Sequence, residues 1–335
     1  MSNNTDFFHI IQRDTAIQRM NRLGKSGCPF LFIIDYAAQN AMVLINSEID
    51  SDKILFHFGE RNNIPKDIIK QDTVDFTFGK NPIDKTEYFK KINTVKSEIR
   101  RGNSFLTNLT QPTPVTTSLS LCDIFLYSKA PYKLWLKDWF TVFSPEIFVR
   151  INGNTISSYP MKGTIDVSLQ NAEKLILDDK KEKAEHATIV DLIRNDLSRV
   201  ANKVEVKKFR YVERLYTNQT DLLQVSSHIE GKLNDNFHSI LGEIIFSLLP
   251  AGSISGAPKT KTMEIIKKAE GYDRGFYTGI CGYFDGENID SAVMIRFIEQ
   301  TDSGLVFKSG GGITSLSDNE KEYRELIQKV YVPIY

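Results

Sequence analysis

Hydrophobic and polar positions along the chain follow two different periods, and the period predicts the type of each element. Apolar runs at residues 30–36 and 41–45 flank four turn residues, 37–40, and predict a hairpin near the N-terminus. Residues 54–58 predict another short strand. The pattern therefore indicates that the chain begins with strands.

A polar stretch separates these strands from the rest of the chain. Residues 60–84 are polar and contain two prolines, so we expect a peripheral excursion and a subdomain boundary there. Beyond it, residues 86–101 carry apolar side chains at helical spacing, and Gly102 supplies a stop. We therefore expect an N-terminal region, residues 1–84, that contributes strands to the same unit as a main domain, residues 85–335.

Strands and helices mix in the main domain without a regular strand–helix–strand rhythm. Strands are predicted at residues 105–109, 140–143, 147–151, 211–215, 222–228, 279–284, 291–297 and 305–309. Helices are predicted at residues 179–200, 237–248, 259–269 and 320–330. No internal repeat or low-complexity linker divides the chain. These elements predict an α+β fold built as one compact two-layered unit.

Composition and charge limit the classes of function. The chain has 335 residues, 41% of them hydrophobic and 25% charged, as in folded globular proteins. Lys plus Arg and Asp plus Glu both total 42, so we expect neither nucleic acid nor a membrane as a partner. No uncharged apolar run approaches the length of a membrane span. Three scattered cysteines and an N-terminus unlike a signal peptide predict a cytoplasmic protein without disulfides.

Two predicted helices each carry a pair of glutamates three residues apart, Glu182 with Glu185 and Glu322 with Glu325. That spacing places both carboxylates of a pair on one helix face. If the two faces met across a cleft, the carboxylates could surround Mg²⁺, which takes oxygen ligands and keeps waters and substrate oxygens. Solvated helix faces with neighbouring lysines as partners are the commoner explanation, and the pattern alone leaves both open.

Two cationic side chains have similar alternatives. Lys329 lies one turn after Glu325, where it could hold a substrate carboxylate or pair with Glu325 at i+4. Arg296 lies inside an apolar run and needs a partner, either a substrate carboxylate or a structural ion pair. Ser317 and Glu320 predict a capping box at the start of the helix that carries Lys329.

Two glycine-rich stretches, residues 252–259 and 310–312, could bring backbone N–H groups to an anion. Neither matches a nucleotide-binding loop, because Ala257 and Ser315 stand where those motifs need glycine, and a tight turn also explains each stretch. Lys162 lies in a predicted loop. A lysine there is a nucleophile only in surroundings that favour its neutral form, and most loop lysines are merely solvated.

Taken together, these features resemble the chorismate-utilising enzyme family, and they occur in the family's order over residues 85–332. The matching strings are Ser144-Pro145-Glu146, Pro160-Met161-Lys162-Gly163-Thr164, Glu182-x-x-Glu185-His186 with residues 191–197, residues 250–259, and Gly310-Gly311-Gly312-Ile313 with Glu322-Tyr323-x-Glu325. Several strings in register are more specific than any one motif. The resemblance fades over the first 84 residues.

The resemblance implies a two-subdomain α+β fold, an antiparallel β-sandwich core with flanking helices, and chorismate with Mg²⁺ in a cleft. Matched position by position, Glu185 and Glu325 would bind Mg²⁺ directly, and Glu182 and Glu322 would act through its waters. The residues implied to contact the substrate are Gly163, Thr164, Tyr277, Arg296, Gly310, Gly311, Gly312 and Lys329.

The residue type at position 162 distinguishes the members of this family. Anthranilate, isochorismate and salicylate synthases typically have a small residue there, whereas lysine is typical of aminodeoxychorismate synthases. The resemblance thus implies amination of chorismate at C4, toward 4-aminobenzoate and folate. Lys162 would add covalently at C2, and Glu146 would protonate the departing 4-hydroxyl before ammonia displaces the lysine. We expect burial to raise the pKa of Glu146, and the two residues to lie at adjacent strand ends.

The chain offers no Gly-x-Cys-x-Gly glutaminase segment, so ammonia is expected from a separate glutamine amidotransferase subunit or from solution. Leu106 stands where amine-adding relatives usually have Gln, and no water-activating base is evident there, with Asn108 two residues later. Three alternatives stay open. They are component I of anthranilate synthase, a non-catalytic chorismate-binding scaffold for an amidotransferase, and a phosphate-transferring enzyme built on the glycine loops.

Overall fold

The structure, a computed structural model, describes residues 8–66, 68, 74–215 and 221–334. Its strands are β1 (Ile11–Gln12), β2 (Phe30–Ile34), β3 (Asn40–Ile45), β4 (Ile54–Phe58), β5 (Arg61–Asn62), β6 (Phe78–Lys80), β7 (Leu106–Thr117), β8 (Tyr132–Leu136), β9 (Phe140–Ser144), β10 (Ile147–Asn152), β11 (Thr155–Ser158), β12 (Met161–Asp166), β13 (Asn202–Leu215), β14 (Leu222–Lys232), β15 (Gly256–Ala257), β16 (Ile280–Phe284), β17 (Ile289–Val293), β18 (Phe297–Thr301) and β19 (Gly304–Ile313). Its helices are α1 (Arg13–Lys25), α2 (Lys85–Arg100), α3 (Leu121–Tyr127), α4 (Ala172–Asp178), α5 (Lys180–Leu197), α6 (Leu241–Ser247), α7 (Lys259–Glu270) and α8 (Asn319–Gln328).

The strands form two antiparallel sheets. The first has the order β1-β3-β2-β16-β17-β10-β11-β14-β12, with β13 also paired to β14. The second has the order β15-β7-β19-β18-β9-β8-β4-β5, with β6 also paired to β7. The predicted hairpin is β2–β3, with Phe30 opposite Ile45. Strands from the first 84 residues therefore lie in both sheets.

The two sheets pack face to face, and helices cover their outer faces. Strand β2 is buried at all five positions because both of its faces are covered. Leu31 and Ile33 pack with Leu134 of the opposite sheet, whereas Phe30 and Phe32 share a cluster with residues of α1 and α6. Each such side chain contributes about 1.5–3 kcal/mol when fully buried. The fold is the α+β sandwich expected from the sequence.

Two predicted elements differ from the structure for local reasons. Residues 291–297 do not form one strand, because the chain leaves β17 of the first sheet and enters β18 of the second, with a left-handed φ of 55° at Arg296 in the connection. The predicted capping box at Ser317 is wrong. Asp318 caps α8 instead, accepting a 3.0 Å hydrogen bond from the backbone N–H of Lys321.

One window of the described residues, Phe237–Ile254, has the length and hydropathy of a membrane span. It contains Glu243, and only Leu241–Ser247 of it is α-helical. A helix of that length is about 10 Å long, against a hydrocarbon core of about 30 Å. Since 56% of the window is buried within the chain, we assign it to the core of the fold. Cys28, Cys122 and Cys281 are free, as expected.

Candidate active site

The two glutamate pairs lie on α5 and α8, and a glycine lies beside each pair. A Cβ atom on Gly163 would lie 3.0 Å from Oε2 of Glu182. A Cβ atom on Gly311 would lie 3.5 Å from Oε1 of Glu325 and 3.7 Å from Oε2 of Glu322. Glycine at these positions lets strands β12 and β19 approach the carboxylates closely.

Lys162 lies between Glu185 of α5 and Gly312 of β19, and the space around its amine is the candidate cleft. As a residue of β12, Lys162 pairs with Val225 of β14 at a bulge. The next residue, Gly163, has a φ of 78°. The Nζ atom of Lys162 lies 3.8 Å from Oε2 of Glu185 on α5, and a Cβ atom on Gly312 of β19 would lie 3.2 Å from the same nitrogen. The prediction that Lys162 lies in a loop is wrong, because pairing with β14 makes this segment a strand.

The three consecutive glycines are interior positions of β19 and do not follow a strand, as the sequence had indicated. Gly310, Gly311 and Gly312 pair with Thr110, Leu109 and Asn108 of β7. The long ladder with β7 extends β19 to Ile313 and accounts for this difference. Without side chains, the glycines leave space for the groups of α8 and for Lys162.

Lys329 extends from α8 to the glycine strand. Its Nζ donates a 2.8 Å hydrogen bond to the carbonyl of Gly310 and lies 2.6 Å from Oε1 of Glu325. The i+4 ion pair is therefore present, in addition to a contact that directs the ammonium toward the cleft. Burial lowers the pKa of Lys329 and the Glu325 carboxylate opposes this shift, while the charges of Arg296 and Lys162 add to it.

Glu146 lies between β9 and β10 and is covered by the loop that follows α6. Ser253 Oγ of that loop donates a 2.5 Å hydrogen bond to Oε1 of Glu146. Burial raises the pKa of Glu146, whereas the Ser253 hydrogen bond and the charges of Lys162, Arg296 and Lys329 oppose the increase. The pKa is raised overall, in the direction that a proton donor requires.

The strand arrangement around Glu146 differs from the prediction. Strands β11 and β14 lie between β10 and β12 in the sheet, so Glu146 and Lys162 do not lie at adjacent strand ends. Lys162 and Glu146 are nevertheless close enough in space for the Lys162 charge to lower the pKa of the Glu146 carboxyl.

Arg296 lies near Glu146 and Tyr277, since its charge acts on both side chains. The Arg296 guanidinium lies 5.5 Å from the centroid of the Tyr331 ring, and no carboxylate of the described chain lies within ion-pair distance of it. Tyr277 is buried, and burial raises the pKa of its hydroxyl. Thr164 is exposed on β12. Arg296 is therefore available to an anionic ligand.

Leu106 and Asn108 lie on β7, next to the glycine strand that faces Lys162. A Cβ atom on Gly312 would lie 3.0 Å from Leu106 Cδ1 and 3.2 Å from Lys162 Nζ, so both side chains border the same space. Asn108, two residues along β7, has a buried Oδ1 without a hydrogen-bond partner among the described residues. This carbonyl is an acceptor that a small donor could satisfy.

His186 does not supply acid–base chemistry near neutral pH. It is buried and lies 2.6 Å from Ser227 Oγ through Nε2. Burial, with the charges of Arg210 and Lys162, lowers its pKa to about 4. The imidazole is therefore neutral at pH 7.

A buried ion pair that the sequence interpretation missed supports the cleft from behind. Arg274 donates to Oε1 of Glu270 at 2.6 Å, and both side chains are 1% exposed. The same guanidinium donates to the carbonyls of Ile254 and Asn108 at 2.9 and 2.7 Å. It thereby joins the loop that carries Ser253 to β7. The i,i+4 spacing of acid and base was the only local signal for this pair.

The four glutamates offer the kind of oxygen ligand that Mg²⁺ takes. The described residues contain no group of three or more His, Cys, Asp or Glu side chains placed to hold a metal ion. However, carboxylate oxygens lie beside strands β12 and β19, with Glu185 near Lys162, Glu182 near Gly163, and Glu322 and Glu325 near Gly311. Mg²⁺ usually uses one or two carboxylates together with waters and substrate oxygens. One carboxylate from each helix would therefore suffice.

Comparison with known proteins places this cleft in a family. The family model described as chorismate binding enzyme matches residues 59–334. An uncharacterized PabA-like protein of Pasteurella multocida is 50% identical over 318 residues, which cover 95% of this chain and 98% of that protein. Component 1 of anthranilate synthase from Haloarcula marismortui is 34% identical over 259 residues, covering 71% of this chain and 51% of the relative.

Two further relatives extend the comparison. Component 1 of aminodeoxychorismate synthase from Bacillus subtilis is 30% identical over 267 residues, covering 75% of this chain and 55% of the relative. The solved structure of MenF, the menaquinone-specific isochorismate synthase from Escherichia coli, has a TM-score of 0.70 at 16% identity, covering 94% of this chain and 80% of that one. That likeness shows the shared fold. With the family model matched over most of its length and the family's strings gathered in one cleft, the chain belongs to the chorismate binding enzyme family.

Proposed function

We propose that this chain is component I of an aminodeoxychorismate synthase, which aminates chorismate at C4 with ammonia to give 4-amino-4-deoxychorismate for 4-aminobenzoate and folate synthesis. The observation that carries the proposal is the position of the Lys162 amine. It lies between Glu185 of α5 and the Gly312 backbone of β19, one residue along the strand from Gly311, which faces Glu322 and Glu325 of α8. A primary amine there is a nucleophile within reach of a bound ring.

Charge complementarity supports chorismate as the ligand, because chorismate carries two carboxylates. Arg296 and Lys329 are cations in the same cleft as the Lys162 amine. Arginine and lysine are the usual partners of carboxylate ligands. The remaining proposed contacts are Gly163, Thr164, Tyr277, Gly310, Gly311 and Gly312.

The proposed chemistry is a double displacement. Lys162 gives its ammonium proton to water, which returns it at the end of the cycle. The freed electron pair bonds to C2 while the C4–O bond breaks, and Glu146 gives its proton to the oxygen, which leaves as water. Ammonia then attacks C4, the bond between C2 and the Lys162 nitrogen breaks, and that nitrogen regains its electron pair. The surplus proton on the new C4 ammonium passes to the Glu146 carboxylate. Chorismate and ammonia are thus converted to 4-amino-4-deoxychorismate and water.

The proposed cofactor is Mg²⁺, held directly by Glu185 and Glu325, with Glu182 and Glu322 acting through its waters. When bound, Mg²⁺ supplies Lewis-acid polarisation of the ring carboxylate. The glutamates contribute by orienting that carboxylate beside the Lys162 amine.

Glu185→Gln and Glu325→Gln are expected to weaken Mg²⁺ binding in the presence of chorismate by at least about 10- to 100-fold, the loss typical when a residue that only supports a metal ligand is changed. Titration calorimetry with Mg²⁺ measures this effect without turnover. The matched control is Glu320→Gln, on the same helix but paired with Lys85. If all three variants bound Mg²⁺ as wild type does, the proposed metal site would be wrong.

Anthranilate synthase component I is the second candidate, because the Haloarcula relative carries that name at comparable identity. Incubating the chain with chorismate, Mg²⁺ and ammonium, followed by mass spectrometry of the products, distinguishes the two reactions. We expect 4-amino-4-deoxychorismate, which becomes 4-aminobenzoate only after a separate lyase is added. Anthranilate fluorescence without a lyase would show the second reaction instead.

We also propose that a separate glutamine amidotransferase subunit supplies the ammonia. The Haloarcula and Bacillus relatives are both named as component 1 of their synthases, which supports a second component. Asn108 Oδ1, a buried acceptor on β7 two residues from Leu106, is suited to receive an N–H of ammonia. The same product assay, run with glutamine and such a subunit in place of ammonium, tests this source.

A further inference from the structure

Helix α8 carries Glu322 and Glu325 and is followed at once by Lys329, and a lysine from a distant strand holds its C-terminal end. Lys80 ends strand β6, which pairs only with β7 among the described strands. Its Nζ donates to the carbonyl of Ile327 at 2.8 Å and to the carbonyl of Val330 at 3.2 Å. Residues 327–330 form the backbone turn that contains Lys329.

This contact places a cation at the C-terminal end of α8, where the Ile327 carbonyl also accepts a 3.2 Å hydrogen bond from the backbone N–H of Val330. The last carbonyls of a helix lack intrahelical partners and lie at the negative end of its dipole, where a cation is stabilising. Lys329 must leave that turn in one direction to donate to the Gly310 carbonyl and meet Glu325. Lys80 therefore restrains the backbone from which the Lys329 side chain extends.

The N-terminal half of α8 is held by other contacts. Lys96 Nζ donates to the Ser317 carbonyl at 2.7 Å, and Lys85 forms an ion pair with Glu320. The Tyr323 hydroxyl donates to the Ile83 carbonyl at 2.9 Å. Loss of Lys80 should therefore loosen the last turn of the helix and leave its first turns in place.

We propose that Lys80 is a positioning residue that fixes the turn containing Lys329 and thereby sets the affinity of the cleft for an anionic substrate. The inference rests on the proposed function only in assigning a substrate carboxylate to Lys329. It concerns binding, so it does not depend on which product the enzyme makes. Lys80 lies in the polar stretch that the sequence pattern treated as peripheral.

The test uses Lys80→Met, Lys80→Arg and Lys85→Met in the full chain. Titration calorimetry gives the dissociation constant for chorismate with Mg²⁺, and amide hydrogen exchange reports on residues 325–330. Lys80→Met should raise the dissociation constant about three- to tenfold and speed exchange in that turn, as loss of a charge at a helix end allows. Lys80→Arg should restore both, because a guanidinium can donate to two carbonyls. Lys85→Met should leave the chorismate affinity unchanged.

A merely structural role would give a different result. Lys80→Met would then lower the melting temperature but keep the wild-type chorismate affinity well below it, and this outcome would overturn the inference. Equal weakening by Lys85→Met would also overturn it, because the effect would not be specific to the last turn. If wild type binds chorismate without aminating it, the proposed function fails, and the affinities of the Lys80 variants still decide this inference.

Discussion

Lys162→Ala is expected to lower the rate of amination by roughly 10³- to 10⁶-fold, the range lost when an enzyme's nucleophile is removed. The amine lies in the cleft, and its side chain is 26% exposed beside a Glu185 carboxylate that is 10% exposed. Alanine removes the only atom of this side chain that can bond to C2. Single-turnover product formation from chorismate, Mg²⁺ and ammonium measures the loss.

Measuring the dissociation constant for chorismate shows whether Lys162→Ala affects the chemical step or substrate binding. Arg296 and Lys329 stay in place in Lys162→Ala, so the dissociation constant for chorismate should change far less than the rate. Lys162→Arg keeps the charge but not the nucleophile and should be equally inactive. Lys183→Ala, which removes an exposed lysine of α5, is the matched control and should retain full activity. Full turnover by Lys162→Ala would refute covalent catalysis by this residue.

Glu146→Gln should lower the rate of the first displacement by about 10²- to 10⁴-fold, the usual contribution of a general acid. Glutamine keeps a hydrogen-bonding group beside Ser253 but has no acidic proton for the departing hydroxyl. The rate of adduct formation without ammonia, followed by stopped-flow absorbance, isolates this step. If Glu146→Gln forms the adduct at the wild-type rate, another group donates the proton.

The pH dependence of the same step follows from the direction of the Glu146 pKa shift. The proton donor must be protonated, so the rate falls as pH rises through the pKa of Glu146. Because burial raises this pKa, the fall occurs at a higher pH than for an exposed glutamate. The Ser253 hydrogen bond lowers the pKa, so Ser253→Ala should raise it further and move the alkaline limb to higher pH. A limb that moved to lower pH in Ser253→Ala would contradict this assignment.

The periodicity of apolar residues was sufficient to predict an element where that element buries one apolar face. Helix α2 was predicted closely because its buried positions include Tyr88, Ile92, Val95 and Ile99 at helical spacing. Helix α1 was missed, since its buried positions are Ala16, Met20 and Gly24, which give almost no hydrophobic signal. Strand β7 was predicted to end near Leu109. It continues to Thr117 because β19 and β6 pair with it, and no local window contains that information.

The candidate site shows the same division. The glutamate pairs and Lys162 could be identified because family strings name them, and the structure brings Lys162 to Glu185. Ser253 bonds to Glu146 across 107 positions of sequence, and Lys80 reaches α8 across 247. Such partners are chosen by the packing of distant elements, so residue type and spacing did not indicate them.

The central claim is that Lys162 bonds covalently to the substrate. Intact-protein mass spectrometry of the chain mixed with chorismate and Mg²⁺, without ammonia, tests it most directly. We predict an adduct with the mass of chorismate minus one water, located on Lys162 by peptide mapping and converted to 4-amino-4-deoxychorismate when ammonium is added. An unmodified chain under these conditions, with the same aminated product formed once ammonium is present, would contradict it.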